Sequence, residues 1–284
     1  VTELLRVAPP LAALTDAGRA ELRLLQEKIE RERGFQCTVY KDKCLLRRMM
    51  VRMRARGCDG FAEYSSLLDR DAAEFDLLID ALTVNVTRFF RNLDTWRVVE
   101  ETVLPELMSG PDTRPRIWSA GCSSGEEPYS LAMLVREWAE GAGRPGDYRR
   151  VTIEGTDIDR ASLAAAERAV YAPHSMAETP DERRYRWFAA GPPYRLDAAV
   201  RSMVAFRHHD LIRDRTPQRC HLIVCRNVLI YFERDIQARL FEAFHDALVP
   251  GGFLVLGKAE TLHGPMRGRF SVVNGRERVF RRPA

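Results

Sequence analysis

The stretch 120-AGCSSGEEPYS-130 carries the residues whose types and spacing come nearest to chemistry. Gly121 and Gly125 bound a short loop directly after the apolar run 116–120, where strand-to-helix turns often present backbone N–H groups to anions. This loop, however, runs straight into Glu126 and Glu127, and two carboxylates repel a pyrophosphate. No GxxxxGK[ST] is present and the third glycine of GxGxxG is missing, which disfavours nucleoside triphosphates and dinucleotides. Carboxylates beside the loop favour a nucleoside ligand with positive charge and no phosphate, and S-adenosylmethionine meets that description. The alternative is that both acids only complement the dipole at the start of the next helix.

Further candidates lie just after the other strand-like runs, where open α/β sheets bind ligands. Asp157 ends the run 151–157 and can accept hydrogen bonds from ribose hydroxyls; alternatively it or Asp159 caps the helix starting near Arg160. Asp210 with Leu211 follows the run 203–210, and Arg226 with Asn227 falls after or within the run 221–230. These positions converge on one crevice if the sheet forms. A separate cluster, 83-TVNVTRFFRN-92, interleaves Asn85, Thr87 and Arg91 with Val84, Val86, Phe89 and Phe90. It reads either as a helix cap or as a lid over the crevice with Arg91 aimed at an anionic substrate.

The elements that must position these residues come in two kinds. Residues 18–33, 43–56, 60–70 and 71–83 have helical periodicity, with Gly34 and Gly57 as stops. A longer helix follows over about 94–107, and the cluster 109-SGPDTRP-115 marks a boundary. After it, strands at 116–120, 151–157, 203–210, 221–230 and 252–257 alternate with helices at 127–140, 160–170 and 233–247. That order predicts a parallel sheet covered on both faces. The tail 270–282 places Asn-Gly between two β-prone runs, a hairpin signal. About 40 residues, 161–202, are too many for a simple crossover, so an inserted element is expected there. The domain reading is a helical domain over 1–84, a linker and connecting helix over 85–115, and an α/β domain over 116–284 with an insert at about 172–202.

Composition narrows the classes further. No window of the 284 residues approaches the ~20 apolar residues of a membrane span, and no signal-peptide pattern opens the chain, so a cytoplasmic protein without membrane insertion is expected. The six cysteines form no CxxC pair and have no zinc-like spacing with the histidines, which points to a reduced compartment and no metal. The pair His208-His209 reads either as a site or, preferably, as a strand end turning into solvent. Net charge is only +4, yet 41-KDKCLLRRMMVRMRARG-57 is strongly basic. Leu45, Leu46, Met49, Met50 and Met53 make one helical stripe there, while Arg48, Arg52 and Arg56 repeat at i+4 on another. That row is either a solvated face or a docking surface for an acidic partner. No aromatic set interleaves with it and no Asn-Pro-Pro-Tyr-type motif is present, which disfavours nucleic acid as a partner.

Together, 85-NVTRFFR-91, 117-IWSAGCSSGEEPYSLAM-133, 156-TDID-159, 224-VCRNVLIYF-232 and 251-GGFLVLGKAE-260 resemble the chemotaxis receptor glutamate methyltransferases, the CheR family. The resemblance spans about residues 18–282. It implies a helical N-terminal domain, a Rossmann-like methyltransferase domain and a small antiparallel β-subdomain inserted in the latter. The implied activity is O-methylation of glutamate side chains on the cytoplasmic helices of methyl-accepting chemoreceptors, with S-adenosylmethionine as cofactor and S-adenosylhomocysteine as product. Cofactor residues carried over by the resemblance are Asn85, Thr87, Arg91, Glu127, Asp157, Asp210 with Leu211, and Arg226 with Asn227; the family more often has Asn-Leu at positions 210 and 211. Arg91 and Tyr231 are implied near the methyl-transfer centre, and Arg48, Arg52 and Arg56 at the receptor. Relatives that tether to a receptor's C-terminal peptide carry a longer Gly-rich loop than 189–197, so direct recognition of the methylation helices is expected, with a monomer as the working oligomeric state.

Overall fold

The computed structural model describes residues 14–83, 85–109 and 114–284. Expectations for residues 1–13, Val84 and most of the 109–115 boundary lie outside the described residues. The chain divides into two units: one gathers the helices before Val84 together with Tyr231–Ile236, and the other holds Asn85–Ile230 and Gln237–Ala284.

In the helical unit, α1 (Asp16–Arg33) starts where the Thr15 hydroxyl accepts from the Gly18 N–H and stops at Gly34, whose φ of 71° only glycine adopts cheaply. Helices α2 (Asp42–Ala55), α3 (Phe61–Leu68) and α4 (Ala72–Leu82) follow. Their apolar stripes meet: Leu25 and Ile29, Leu45 and Met49, Tyr64, and Phe75 with Leu78 form one buried cluster. Glu74 is fully buried inside it, accepting from the Tyr64 hydroxyl at 2.6 Å and from Arg52 Nε at 3.0 Å. The segment from Tyr231 joins this unit through its backbone: the Lys41 N–H donates to the Tyr231 carbonyl at 2.8 Å and the Glu233 N–H to that of Val39 at 3.1 Å.

The second unit opens with an irregular segment and then α5 (Leu93–Val98), a π turn over Val99–Val103, and α6 (Leu104–Met108). The long helix predicted here is therefore interrupted. Pro105 cannot donate to the carbonyl four residues back, and the Leu104 N–H bonds five residues back to Val99 instead. Strands β1 (Arg116–Ala120), β2 (Thr152–Asp157), β5 (Val204–His208), β6 (Cys220–Cys225) and β7 (Leu248–Leu256) pair in parallel. Helices α7 (Glu126–Gly141), α8 (Arg160–Arg168) and α11 (Arg234–Ala247) alternate with them. The hairpin of β8 (Ser271–Asn274) and β9 (Val279–Arg281) adds two antiparallel strands, giving the order β5-β2-β1-β6-β7-β9-β8. Its turn takes four residues, and the Asn274 side chain accepts from the Glu277 N–H at 3.0 Å across it.

The insert is small. Strands β3 (Val170–Tyr171) and β4 (Tyr194–Arg195) pair antiparallel, with α9 (Asp181–Trp187) between them and α10 (Ala198–Arg201) after them. Arg183 fixes it to the rest of the unit, bonding Glu137 at 2.8 Å and Glu100 at 2.9 Å. One prediction fails at the end of β5: His209 is buried, edge-on to Trp118 at 5.6 Å, rather than turned to solvent. Burial lowers its pKa, and its Nε2 lies 3.3 Å from the Arg215 carbonyl. No helix among the described residues is long and apolar enough to cross a membrane.

Candidate functional site

The direction of strand addition reverses between β1 and β6, and such a switch point opens a crevice beyond the strands' carboxyl ends. The loop after β1 and the turn after β6 border it. Gly121 sits at φ 79°, and a Cβ there would stand 2.5 Å from Val228 Cγ2, so the two loops approach more closely than any side chain at 121 permits.

The same loop does not cradle an anion. Its Gly121 and Cys122 N–H groups donate to the Thr156 carbonyl at 2.8 and 2.9 Å, Ser123 donates to Asp157 Oδ2 at 2.7 Å, and Gly125 to the Cys122 carbonyl at 3.1 Å. Donors spent this way cannot serve a phosphate. Glu126, the first residue of α7, is buried and accepts from the Ser124 hydroxyl at 2.7 Å and the Ser175 hydroxyl at 3.1 Å. It ties the loop to the insert, and burial raises its pKa.

Glu127 differs in its surroundings. Its Oε1 accepts from the Ser119 hydroxyl of β1 at 2.9 Å, and its Oε2 lies 3.6 Å from Arg226 Nη1. Burial raises the Glu127 pKa against the opposing pull of Arg226. Arg226 is itself buried, and desolvation lowers its pKa. Its Nη2 donates to the Arg91 carbonyl at 2.7 Å and to Asn92 Oδ1 at 3.0 Å, with its guanidinium 5.3 Å from the Trp96 ring centre. One buried ion pair thus fastens the 85–92 segment to the end of β6.

That segment holds no regular helix, so the capping alternative for Asn85 and Thr87 does not apply. Asn85 Nδ2 donates to Asp159 Oδ2 at 2.6 Å, while Arg91 Nη1 donates to the Val86 carbonyl at 2.9 Å and closes a loop on itself. Phe89 and Phe90 anchor the segment in the core; the Phe90 N–H donates to the Ser130 hydroxyl at 3.1 Å. Thr87 is half-buried beside them.

At the end of β2, Asp157 accepts from the Ser123 N–H and, at 2.9 Å, from the Asp159 N–H, while Asp159 caps α8 through the Ala161 N–H at 2.9 Å. Burial raises the Asp157 pKa, and those two N–H donors oppose it. Asp210, past β5, spends Oδ1 on the Ile212 N–H at 2.8 Å, with Leu211 half-buried next to it.

Asn227 adopts φ 61°, and its N–H donates to Glu260 Oε2 at 3.0 Å. The structure thus brings Arg91, Glu127 and Arg226 into one network and places Asn85 and Asp157 around the end of β2. Tyr231 belongs to the helical unit, where the Arg48 guanidinium lies 4.9 Å from its ring centre. Arg48 also donates to the Leu82 carbonyl at 2.7 Å, and Arg56 pairs with Asp71 at 2.9 Å. The sequence reading assigned no role to Ser119 or Glu260. A glutamate at the carboxyl end of the apolar run 252–257 was the available signal for the second.

The chemistry of the donor set fits S-adenosylmethionine. Asn227 Oδ1 and Ser123 Oγ are buried with no protein partner among the described residues, and the Glu127 carboxylate suits a cation. The family model agrees. Residues 85–279 match the CheR methyltransferase SAM-binding domain, and residues 20–83 match the CheR methyltransferase all-alpha domain. A chemotaxis protein methyltransferase of Listeria innocua is 36% identical over 84% of this chain and 88% of its own. Chemotaxis protein methyltransferase 1 of Pseudomonas aeruginosa is 32% identical over 87% and 92%. Among solved structures, a TehB-like SAM-dependent methyltransferase from Corynebacterium glutamicum shares 17% identity with a TM-score of 0.38, over 68% of this chain and 96% of that one.

Proposed function

The chain belongs to the CheR methyltransferase family, and from that premise we propose that it methylates glutamate side chains on chemoreceptor helices to give glutamyl methyl esters. The observation that carries this reading is the buried carboxylate of Glu127, held by Ser119 and Arg226 at the switch point of a sheet whose loop N–H groups at Gly121, Cys122, Ser123 and Gly125 are already spent. Such a site favours a cation over a phosphate.

When bound, S-adenosylmethionine supplies a methyl group activated by its sulfonium. The acceptor carboxylate is already ionised at neutral pH, with a reference pKa of about 4.3, so no general base is needed. The protein's task is alignment and exclusion of water, and alignment can contribute on the order of 7 to 11 kcal/mol. Glu127 faces the cationic methionine end in this reading. Asp157 and Asn85 take the ribose side, Asn227 offers its free acceptor, and Arg226 positions the 85–92 segment. Arg91 holds the acceptor carboxylate by charge-assisted hydrogen bonds. The roles of Thr87, Asp210 with Leu211, and Tyr231 rest on the resemblance alone, as do a cytoplasmic setting and recognition without a tether peptide.

The reading is tested by incubating the protein with methyl-labelled cofactor and a chemoreceptor cytoplasmic domain, then locating the label by mass spectrometry. Label on glutamate that alkali releases as methanol supports it. Alkali-stable label, or label transferred to RNA and not to the receptor, overturns it.

A further inference from the structure

Glu260 follows β7 and is 4% exposed, yet no cation pairs with it among the described residues. Lys258, two residues earlier, turns away to Glu277 at 3.2 Å. All the partners of Glu260 are neutral backbone donors. Its Oε2 accepts from Asn227 at 3.0 Å and Gly257 at 2.6 Å, and its Oε1 from Leu229 at 2.7 Å and Ile230 at 3.3 Å. Burial raises the Glu260 pKa, and these four N–H donors oppose that rise; because a carboxylic acid proton would compete with them, they favour the anion. Gly257 makes room for it, since a Cβ there would stand 2.7 Å from Glu260 Oε2 and 2.8 Å from the Asn227 nitrogen.

A turn can be capped without a charge, and a buried unpaired anion is costly. Its field reaches the neighbouring groups: the charge of Glu260 acts on both Glu127 and Arg226. Two buried carboxylates thus stand against one buried guanidinium. The fourth charge, Arg91, is the one assigned to the acceptor carboxylate. We infer that Glu260 is a specificity-determining residue: besides fixing the Asn227 turn, it supplies a second negative charge that raises the crevice's affinity for the cationic cofactor relative to its product. The product differs where the charge matters, because methyl loss converts sulfonium to neutral thioether. The inference rests on reading Glu127, Arg226 and Asn227 as cofactor-facing.

The test measures dissociation constants of S-adenosylmethionine and S-adenosylhomocysteine for the full chain by titration calorimetry, in wild type, Glu260→Gln, Glu260→Asp and Glu127→Gln. A merely structural role for Glu260 weakens both ligands alike. The expectation is that Glu260→Gln shifts the ratio of the two constants against the cofactor by about threefold or more, as loss of a nearby charge does. Glu260→Asp keeps the ratio even where both affinities fall. An unchanged ratio in Glu260→Gln overturns the role of Glu260 if Glu127→Gln does shift the ratio; if neither shifts it, the cofactor-facing reading of the crevice falls as well. Should Glu260→Gln fail to fold, Gly257→Ala displaces the carboxylate by another route and is expected to move the ratio the same way, an unmoved ratio counting against the inference.

Discussion

Arg91 has two chemically separate jobs in this protein. Its carbonyl receives Arg226 at 2.7 Å and the Trp96 indole N–H at 3.0 Å, which are backbone contacts that any residue at 91 preserves. Among the described residues its guanidinium bonds the Val86 carbonyl at 2.9 Å, a surface contact, so it is available to a substrate carboxylate at small structural cost. Arg91→Ala is therefore expected to lower receptor methylation by about 100-fold or more, the scale seen when one transition-state donor is removed, with folding intact and cofactor binding partly retained. Wild-type turnover in this variant, measured with labelled cofactor, would exclude the role. Glu127 predicts a pH dependence instead. Burial raises its pKa, so on acidification its charge is lost earlier than for an exposed glutamate. Cofactor affinity should fall as pH drops through that raised value, and Glu127→Gln should be weak at neutral pH and lose this part of the dependence. An affinity profile in Glu127→Gln that matches wild type between neutral pH and about pH 5 argues against the assignment.

At the scale of elements, the two loops of the crevice are set by each other. Gly121 is required twice, by its φ of 79° and by the 2.5 Å that a Cβ would leave to Val228 Cγ2. Gly121→Ala is expected to destabilise the α/β unit and to weaken cofactor binding. Val228→Ala in the same chain should recover the steric part but leave the left-handed backbone cost of about 1 to 2 kcal/mol. Denaturant unfolding of the single and double variants checks this, and additivity of the two effects would show that the loops are not in contact. The strands and helices themselves were legible because each carries its own pattern: β1 matches its predicted bounds, and α2 and α4 differ from theirs by a residue or so at each end. The crevice was legible at Glu127 and Asp157, where acids follow strands. What was not legible depends on partners distant in sequence. His209 went inward against Trp118, and Glu260 serves a turn some 30 residues earlier. A local window holds none of those partners.

For the molecule as a whole, a net charge of +4 says little, because the basic residues divide between two uses. Along α2 and its C-cap the row Arg48, Arg52 and Arg56 is tied to the rest of the unit: Arg52 bonds Glu74 through Nε at 3.0 Å, the exposed Arg56 lies 3.6 Å from the same carboxylate, and Arg48 reaches the Leu82 carbonyl. Burial raises the Glu74 pKa, but bonds from Arg52 and Tyr64 outweigh it and the net shift is downward. Glu74 therefore stabilises the helical unit above the usual glutamate range near pH 4.3, and that contribution is lost as pH falls through its lowered value. The exposed basic groups on α2 are Lys43, Arg47 and Arg54; the first two stand four residues apart, with Val51 next in line and 51% exposed. An acidic receptor helix would meet that second stripe first. Lys43→Glu with Arg47→Glu is thus expected to slow receptor methylation several-fold at low ionic strength, with the deficit shrinking as salt is raised and cofactor affinity unchanged. Arg52→Ala should behave differently, destabilising the helical unit by roughly 2 kcal/mol, short of the about 3 to 5 for a fully buried pair because Tyr64 and Arg56 remain with Glu74. Methylation rates across a salt series, taken beside denaturant unfolding, separate the two stripes. If Arg52→Ala slows methylation with stability intact while the Lys43 and Arg47 double variant stays at the wild-type rate, docking belongs to the inner row and the outer stripe is only a solvated face.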